Sequence, residues 1–559
     1  MERTLLVGLD AACWAYVDPL LQSGRLPTIQ KLMDSGVWGV LSSTMPPWTP
    51  TAWSSIVTAK NPGKHGVFDM LWRKPGDYSF EPTSARVRQG TPFWQYLNAA
   101  GIRVGLVNIP FTHPPAPIEG FVLCGFGTPD SAEDLTWPSE AQNWMESRFG
   151  PYKPVVSTDV LRSGRAEDIL AIEKRQQAYL VEAGAALAEH YRVDVLVMNL
   201  MLTDHANHKM PTMALVQEAY LQSDADIGTL LNSFQPDNVL MISDHGSSRL
   251  KGDFLLNLWL REHGYCVYHE NTPVQKAAAF GWILEHWFQD SLNWSGGSEK
   301  AFRRLIRAVW PRLPKEIQRK AWAKIENAIP FAESHMRLST KPDFSRTAIF
   351  PSSLYSGLLY VNVTNREPSG VVPADERRTF VDKLKDELSE IKEPYTGERL
   401  FTNIFSSDEL YYGPAAGYAP DIILDAYGSQ WNIRTRQPAP HKGRQHSRYF
   451  ITFDQDRDYG WHSPDGVFVF SGRAVQPSQT AQGAHLMDVP ATLLHMCDVP
   501  VPEDWDGRVM FDLLAPELSR RPLRTQPGDA GPKTLEENGY SSEEADLMVD
   551  HLRALGYLD

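Results

Sequence analysis

Cysteine is scarce in this 559-residue chain: Cys13, Cys124, Cys266 and Cys497 are scattered, and no two form a C-x-x-C pair. Neither a disulfide framework nor a zinc–thiolate centre is expected from such spacing. Long apolar runs are missing too, and none approaches the length of a membrane span. A basic surplus is also absent, since 54 Lys and Arg face 68 Asp and Glu for a net charge of −14. An acidic chain repels a phosphate backbone, so no nucleic-acid polymer is expected as partner. It repels small phosphate esters as well, and any phosphate chemistry would need local cations. No internal repeats occur. No cleavable leader is expected either, because Met1-Glu-Arg-Thr runs straight into Leu5-Leu-Val-Gly-Leu-Asp10, which reads as a core strand. A cytoplasmic location is expected on that ground.

What is present is the composition of an ordinary soluble enzyme, 42% hydrophobic and 22% charged. Short apolar runs at 4–9, 103–108, 193–200, 238–243 and 358–363 read as buried strands. Helical patterns such as 27–35 and 166–189 lie between the early ones. This alternation predicts an α/β fold with a mostly parallel central sheet and helices on both faces. Polar residues follow the strand ends: Asp10 after the first, Thr203 and Asp204 after the run to Met201, Asp244 and His245 after Val239–Ser243. Ligands of open α/β sheets bind beyond the carboxyl ends of strands.

The segment 272–343 differs, being helical in period and rich in Trp, Lys and Arg. It reads as a helical cap inserted between a first core part, 1–271, and a second, 344–518. The remaining 519–559 reads as a Pro-, Arg- and Gly-rich linker and a terminal helix from Ser541 to Leu555, capped by Ser541 or Ser542.

Four places carry chemistry-bearing residues. In Pro46-Pro-Trp-Thr-Pro-Thr-Ala-Trp53, Thr49 followed by Pro50 reads as an N-cap with Pro at the first helical position. A hydroxyl there lies beside free N–H groups that bind phosphate, although a plain cap has the same pattern. Asp204 and His208 are four apart and can share one helix face; carboxylate and imidazole together suit zinc, manganese or iron. His205 between them points elsewhere. Asp244-His245-Gly246 ends a buried strand, with Gly246 expected to permit the tight turn. His462, in Gly460-Trp-His-Ser-Pro-Asp-Gly466, precedes an apolar strand and could equally be a turn residue.

Together with Val7-Gly-Leu-Asp10, Leu26-Pro-Thr-Ile-Gln-Lys-Leu-Met-Asp-Ser-Gly36, Thr58-Ala-Lys-Asn-Pro-Gly-Lys-His-Gly66, Arg366-Glu-Pro-Ser-Gly-Val-Val372 and Val501-Pro-Glu-Asp-Trp-Asp-Gly507, this ordered set resembles the phosphodiesterase and nucleotide pyrophosphatase branch of the alkaline phosphatase superfamily. Within it, the chain looks closest to a bacterial group of predicted phosphohydrolases or phosphomutases. The resemblance implies two divalent metal ions, zinc or manganese. Asp204, His208 and His462 match the ligands of one; Asp10, Asp244 and His245, with the Thr49 hydroxyl, match those of the other. It also implies a phosphothreonine intermediate on Thr49 and a small phosphate-ester substrate. Lys64, His65, Arg249 and Lys251 are candidates for contacting the substrate.

Rival readings stay open at this point. A phosphomonoesterase or phosphomutase of the same superfamily would share the metal sites. In another class, the basic amphipathic stretch 300–309 could seat the protein on an anionic membrane or a partner. A non-catalytic member is disfavoured, because all seven key positions hold competent residues.

Overall fold

The computed structural model describes residues 2–74, 76–129, 131–269, 314, 316, 342–352, 357–435, 443–445, 447–453, 460–477, 481–529 and 540–557. The region 272–343, read as a cap, lies outside the described residues apart from 314, 316, 342 and 343; the basic stretch 300–309 lies wholly outside them.

A nine-stranded sheet organises the rest. Its strands in chain order are β1 (Thr4–Leu9), β2 (Gly36–Ser42), β3 (Val104–Val107), β4 (Gly120–Leu123), β5 (Thr136–Trp137), β6 (Val195–Leu200), β7 (Asn238–Ile242), β8 (Asp465–Gly472) and β9 (Ala481–His485). They lie side by side as β9-β2-β8-β7-β1-β6-β3-β4-β5. β7, β1, β6, β3 and β4 run parallel. Only β8, antiparallel to both β7 and β2, and the terminal β5 run against them. The mostly parallel sheet expected from the apolar runs is therefore what forms.

Its two faces bury different side chains. Leu5, Val7 and Leu9 of β1 join a core with Met198, Met241 and Val469, covered by α1 (Pro27–Asp34), α3 (Ala166–His190) and α5 (Met213–Phe234). Leu6 points the other way, into a core with Val197, Leu240, Ile242 and Phe468 beneath α2 (Thr49–Thr58). Both faces are covered, so β1, β6 and β7 are apolar along most of their length, and every residue in them is buried.

Residues between β7 and β8 build a second unit with its own core. The strand Leu358–Val361, read from sequence as one more buried strand, belongs here. It pairs antiparallel with Ile349–Pro351 and Ile422–Asp425 in a separate four-stranded sheet. Another four-stranded sheet packs beside it through Phe254, Trp431 and Phe450.

Much of the stretch read as a linker is docked. Thr525–Gln526 pairs with Val501–Pro502, and the Asp529 carboxylate accepts from the Thr91 N–H at 3.0 Å. The terminal helix α6 (Ser542–Leu555) starts at a capping box. Ser541 Oγ accepts from the Glu544 N–H at 3.2 Å, and the Ser541 N–H donates to Glu544 Oε2 at 2.7 Å. Among the described residues, no helix is long and apolar enough to cross a membrane.

Candidate active site

Chain direction decides where the polar residues meet. β1, β6 and β7 end at one edge of the sheet, and β2 ends there too, being two antiparallel steps from β7. β8 runs oppositely and begins at that edge. Asp10 follows β1, Asp204 and His208 sit on α4 (Leu202–Lys209) after β6, and Asp244 and His245 follow β7. Thr49 opens α2 after β2. His462 precedes β8 on the short strand Gly460–Ser463, which pairs antiparallel with Gly246–Arg249 and sets Ser247 opposite His462. One edge thus gathers all seven: six in two clusters, Asp10, Asp244 and His245, and Asp204, His208 and His462, with Thr49 beside the first. The His245 and His462 rings stack at 4.0 Å between centroids, so the clusters adjoin.

In the first cluster, His245 Nε2 faces Asp244 Oδ2 at 3.4 Å, Asp10 Oδ1 at 3.7 Å and the Thr49 hydroxyl at 3.2 Å. Its Nδ1 sits 3.0 Å from the Gly246 carbonyl, so Nδ1 carries the proton and Nε2 presents its lone pair. Asp10 Oδ2 accepts from Asn199 Nδ2 at 2.7 Å and Trp53 Nε1 at 3.3 Å. Gly8, paired with Asn199 across β1 and β6, makes room: a Cβ there would stand 2.4 Å from Asn199 Oδ1. Gly246 is required for a similar reason rather than for a turn, since a Cβ on it would meet the Asp465 carbonyl oxygen at 2.0 Å.

In the second cluster, His208 Nε2 and His462 Nε2 face Asp204 Oδ1 at 3.4 and 3.7 Å and each other at 2.9 Å. His462 Nδ1 lies 2.8 Å from the Pro47 carbonyl, which fixes its tautomer in the same way. Asp204 Oδ2 accepts from the Tyr557 hydroxyl.

The donor set fits metal ions. Each carboxylate has one oxygen held by a protein donor, whereas the buried Asp10 Oδ1, Asp204 Oδ1 and Asp244 Oδ2 accept no hydrogen bond from any described residue. Those are the oxygens that face the imidazole lone pairs. Two atoms bound about 2.1 Å from one tetrahedral ion lie about 3.4 Å apart, close to most of the separations seen here. Electrostatics agree. Burial, then the charges of Asp244 and Asp204, push the Asp10 carboxyl well above its ordinary range. Burial and Asp204 push Asp244 up to about 8. Burial would raise Asp204 as well, but His208, His462 and His245 hold it well below the usual carboxylate range. Three buried carboxylates in one cleft call for cations.

Thr49 is the first residue of α2, and the extended residue before it is Trp48; the Thr49 side chain caps nothing. The N-cap expectation was thus one residue out, because the hydroxyl turns toward His245 instead of back onto the helix. The first internal bond of α2 runs from the Ala52 N–H to the Trp48 carbonyl at 2.8 Å, which leaves the amides of Thr49 and Thr51 at the helix mouth.

Of the four substrate-contact candidates, Lys64 and His65 are held by partners within the fold. Lys64 pairs with Asp506 at 2.5 Å and donates to the Asp504 carbonyl at 2.8 Å. His65 is sealed in the fold against Ser55 Oγ at 2.8 Å. Arg249 ends the strand that pairs with His462's strand, and the Lys251 backbone bonds Gln430 at 2.8 Å. A cleft lined by Ser248, Leu250, Tyr427, Gln430 and Trp461 opens on His462 near these two. His205 turns away from both clusters to face Glu173 at 3.2 Å.

Two residues at the site went unnoticed in the sequence. Asn199 could have been found as the polar residue inside the apolar run Val195-Leu-Val-Met-Asn-Leu200. Tyr557 carries no local signal at all.

Comparison with known proteins bears on the fold and on the family. The fold is similar to that of a phosphonoacetate hydrolase from Sinorhizobium meliloti 1021 in complex with phosphonoformate, at 13% identity and a TM-score of 0.52 over 89% of this chain and 96% of that one. It is also similar to an inactive variant of murine ectonucleotide pyrophosphatase / phosphodiesterase 5 in complex with AMP (12% identity, TM-score 0.44, 92% and 100% covered). A variant alkaline phosphatase is similar at 13% identity and a TM-score of 0.48, over 92% and 99% of the two chains. At such identities the first of these likenesses shows the fold and no more. No curated protein matches the chain. The sequence profile of the type I phosphodiesterase / nucleotide pyrophosphatase family, however, matches residues 4–465. The chain therefore belongs to that family, whose members are phosphoric ester hydrolases.

Proposed function

We propose that this protein hydrolyses phosphate esters, of phosphodiester or nucleotide-pyrophosphate type, with Thr49 as nucleophile beside two divalent cations. The observation that carries the reading is the Thr49 hydroxyl, 3.2 Å from His245 Nε2 at a helix start, with two ligand-competent clusters alongside. Asp10, Asp244 and His245 would hold one cation and Asp204, His208 and His462 the other, zinc or manganese by their donor chemistry; bound there, the pair supplies Lewis acidity at the phosphoryl oxygens and favours the Thr49 alkoxide.

The chain's own residues do the rest. The carbonyls of Gly246 and Pro47 hold His245 and His462 in their tautomers. Asn199 and Trp53 fix the Asp10 carboxylate. The amides at the mouth of α2 receive non-bridging phosphoryl oxygens. Thr49 Oγ attacks phosphorus in line: the Thr49 O–P bond forms, the P–O bond to the leaving group breaks, and the hydroxyl proton ends on the departing oxygen. Water then cleaves the phosphothreonine and restores the hydroxyl.

A panel of mono- and diesters assayed with added zinc or manganese, beside Thr49→Ala, tests this reading. Release of an alcohol from a diester by the native chain alone is the expected result. A Thr49→Ala variant that keeps more than about a tenth of native turnover, a barrier change under roughly 1.4 kcal/mol, would overturn the nucleophile. Phosphate released only from monoesters would transfer the reading to a phosphomonoesterase.

A further inference from the structure

The family match ends at residue 465, yet a side chain near the C-terminus reaches the second cluster. α6 buries Met548, His551, Leu552 and Leu555 against the body of the protein. It is fastened twice: before its start the Tyr540 hydroxyl donates to the Gly127 carbonyl at 2.8 Å, and within it Asp550 pairs with Arg162. Gly556 ends the helix at φ +97°, in the left-handed region, and turns the chain over His208. The next residue, Tyr557, is 1% exposed. Its ring lies 4.5 Å from that of His208 and 5.6 Å from that of Phe126, centroid to centroid. Its hydroxyl donates to Asp204 Oδ2, the carboxylate oxygen turned away from His208 and His462.

We propose that Tyr557 is a positioning residue of the second cluster: the C-terminal tail delivers a phenol that fixes the Asp204 carboxylate so that Oδ1 faces His208 and His462. The proposal rests on the two-metal reading above. Its logic is that of Asn199 on Asp10 in the first cluster, where a side-chain donor occupies one carboxylate oxygen and aims the other. The phenol is itself no ligand of the cluster, since it bonds the oxygen that points away from the imidazoles. Outer partners of this kind typically alter metal affinity by about 10–100-fold.

The test is zinc titration of the full-length, chelator-treated protein against a competing chromophoric chelator, for the native chain, Tyr557→Phe, Asp204→Asn and a chain ending at Tyr540. The phenylalanine keeps the ring packed on His208 and removes only the hydroxyl. The native chain should bind two equivalents. Tyr557→Phe should weaken one of them about 10–100-fold and leave the other unchanged, and the weakened equivalent should be the one Asp204→Asn abolishes. The shortened chain should weaken the same equivalent; if it fails to fold, Tyr557→Phe decides alone. Unchanged affinity at both sites in Tyr557→Phe would overturn the proposal. So would unchanged affinity together with faster turnover, which would make the tail a plug over the cluster. A native chain that binds no zinc, with Asp204→Asn indistinguishable from it, would overturn the two-metal reading itself, an outcome separate from either of these.

Discussion

The two clusters at the sheet edge adjoin, yet they are assembled in different ways. Asp10, Asp244 and His245 come from the ends of β1 and β7, which are hydrogen-bonded neighbours, so sheet pairing alone brings them together. Asp204 and His208 come from one turn of α4, His462 from the strand before β8, and the hydrogen-bond donor behind Asp204 from the C-terminus. Their electrostatics diverge accordingly. Two carboxylates and one imidazole crowd the first cluster; burial raises both acids, with Asp244 and Asp204 adding to it at Asp10 and Asp204 adding to it at Asp244. One carboxylate among imidazoles forms the second, and it is held low despite its burial. Two sites of different carboxylate count therefore grow from one edge: the first holds two acids and one imidazole, the second one acid and two imidazoles.

Several substitutions would break or sharpen this contrast. The largest effect is expected from Thr49→Ala, which removes the hydroxyl beside the first cluster without touching a carboxylate. Turnover should fall by about 10⁴-fold or more, with both metal equivalents retained and stability lowered by only about 1–2 kcal/mol, since no helix cap is lost. Metal analysis, phosphate release and thermal melting together check it.

Asp244→Asn and Asp204→Asn should each lose one metal equivalent along with activity, and they should lose different ones. Loss of both equivalents in either variant would show that the clusters are one binding unit rather than two. Because Asp244 is raised, the first cluster should also release its metal at the higher pH on acidification: binding requires a deprotonated carboxylate, and protons compete for it from about pH 8 downward. A zinc titration repeated from pH 8.5 to 5.5 would check which equivalent weakens first.

Asn199→Ala is the counterpart, in the first cluster, of removing the Tyr557 hydroxyl in the second. It should weaken one equivalent by about 10–100-fold and spare the other, as read by the same competition titration.

The smallest effect lies outside both clusters. Burial, then the charges of Arg88 and Lys60, lower the His65 imidazole to about 3. The unfolded chain binds that proton near pH 6.5, so the contribution is complete above pH 6.5 and is lost as pH falls toward about 3, by up to about 1.4 kcal/mol per pH unit. Denaturant unfolding of the metal-free protein across that window should show a shallower acid slope for His65→Gln than for the native chain, with metal binding at neutral pH unaltered.

How much of this was legible in the sequence differs element by element. β1, β6 and β7 could be read because strands covered on both faces are apolar along most of their length, and the acids at their ends stand out against that background. Thr49 could be placed near a helix start from Thr-Pro, but that local pattern left the direction of its hydroxyl open, because capping and facing His245 differ by a small rotation that tertiary neighbours decide. Leu358–Val361 was legible as a strand and illegible as a member of a second sheet, since apolar character does not encode pairing partners.

By itself, the sequence determined the α/β alternation, the strand-end acids and the i, i+4 spacing of Asp204 and His208, all of which follow from local periodicity and side-chain chemistry, while the full ligand set was what the family resemblance implied. The tertiary structure alone decided that Gly8 yields its side-chain space to Asn199 and that Tyr557 closes on Asp204 from the far end of the chain. Those facts depend on which distant segments are packed together, and packing depends on the whole fold, whereas periodicity and spacing report only on near neighbours.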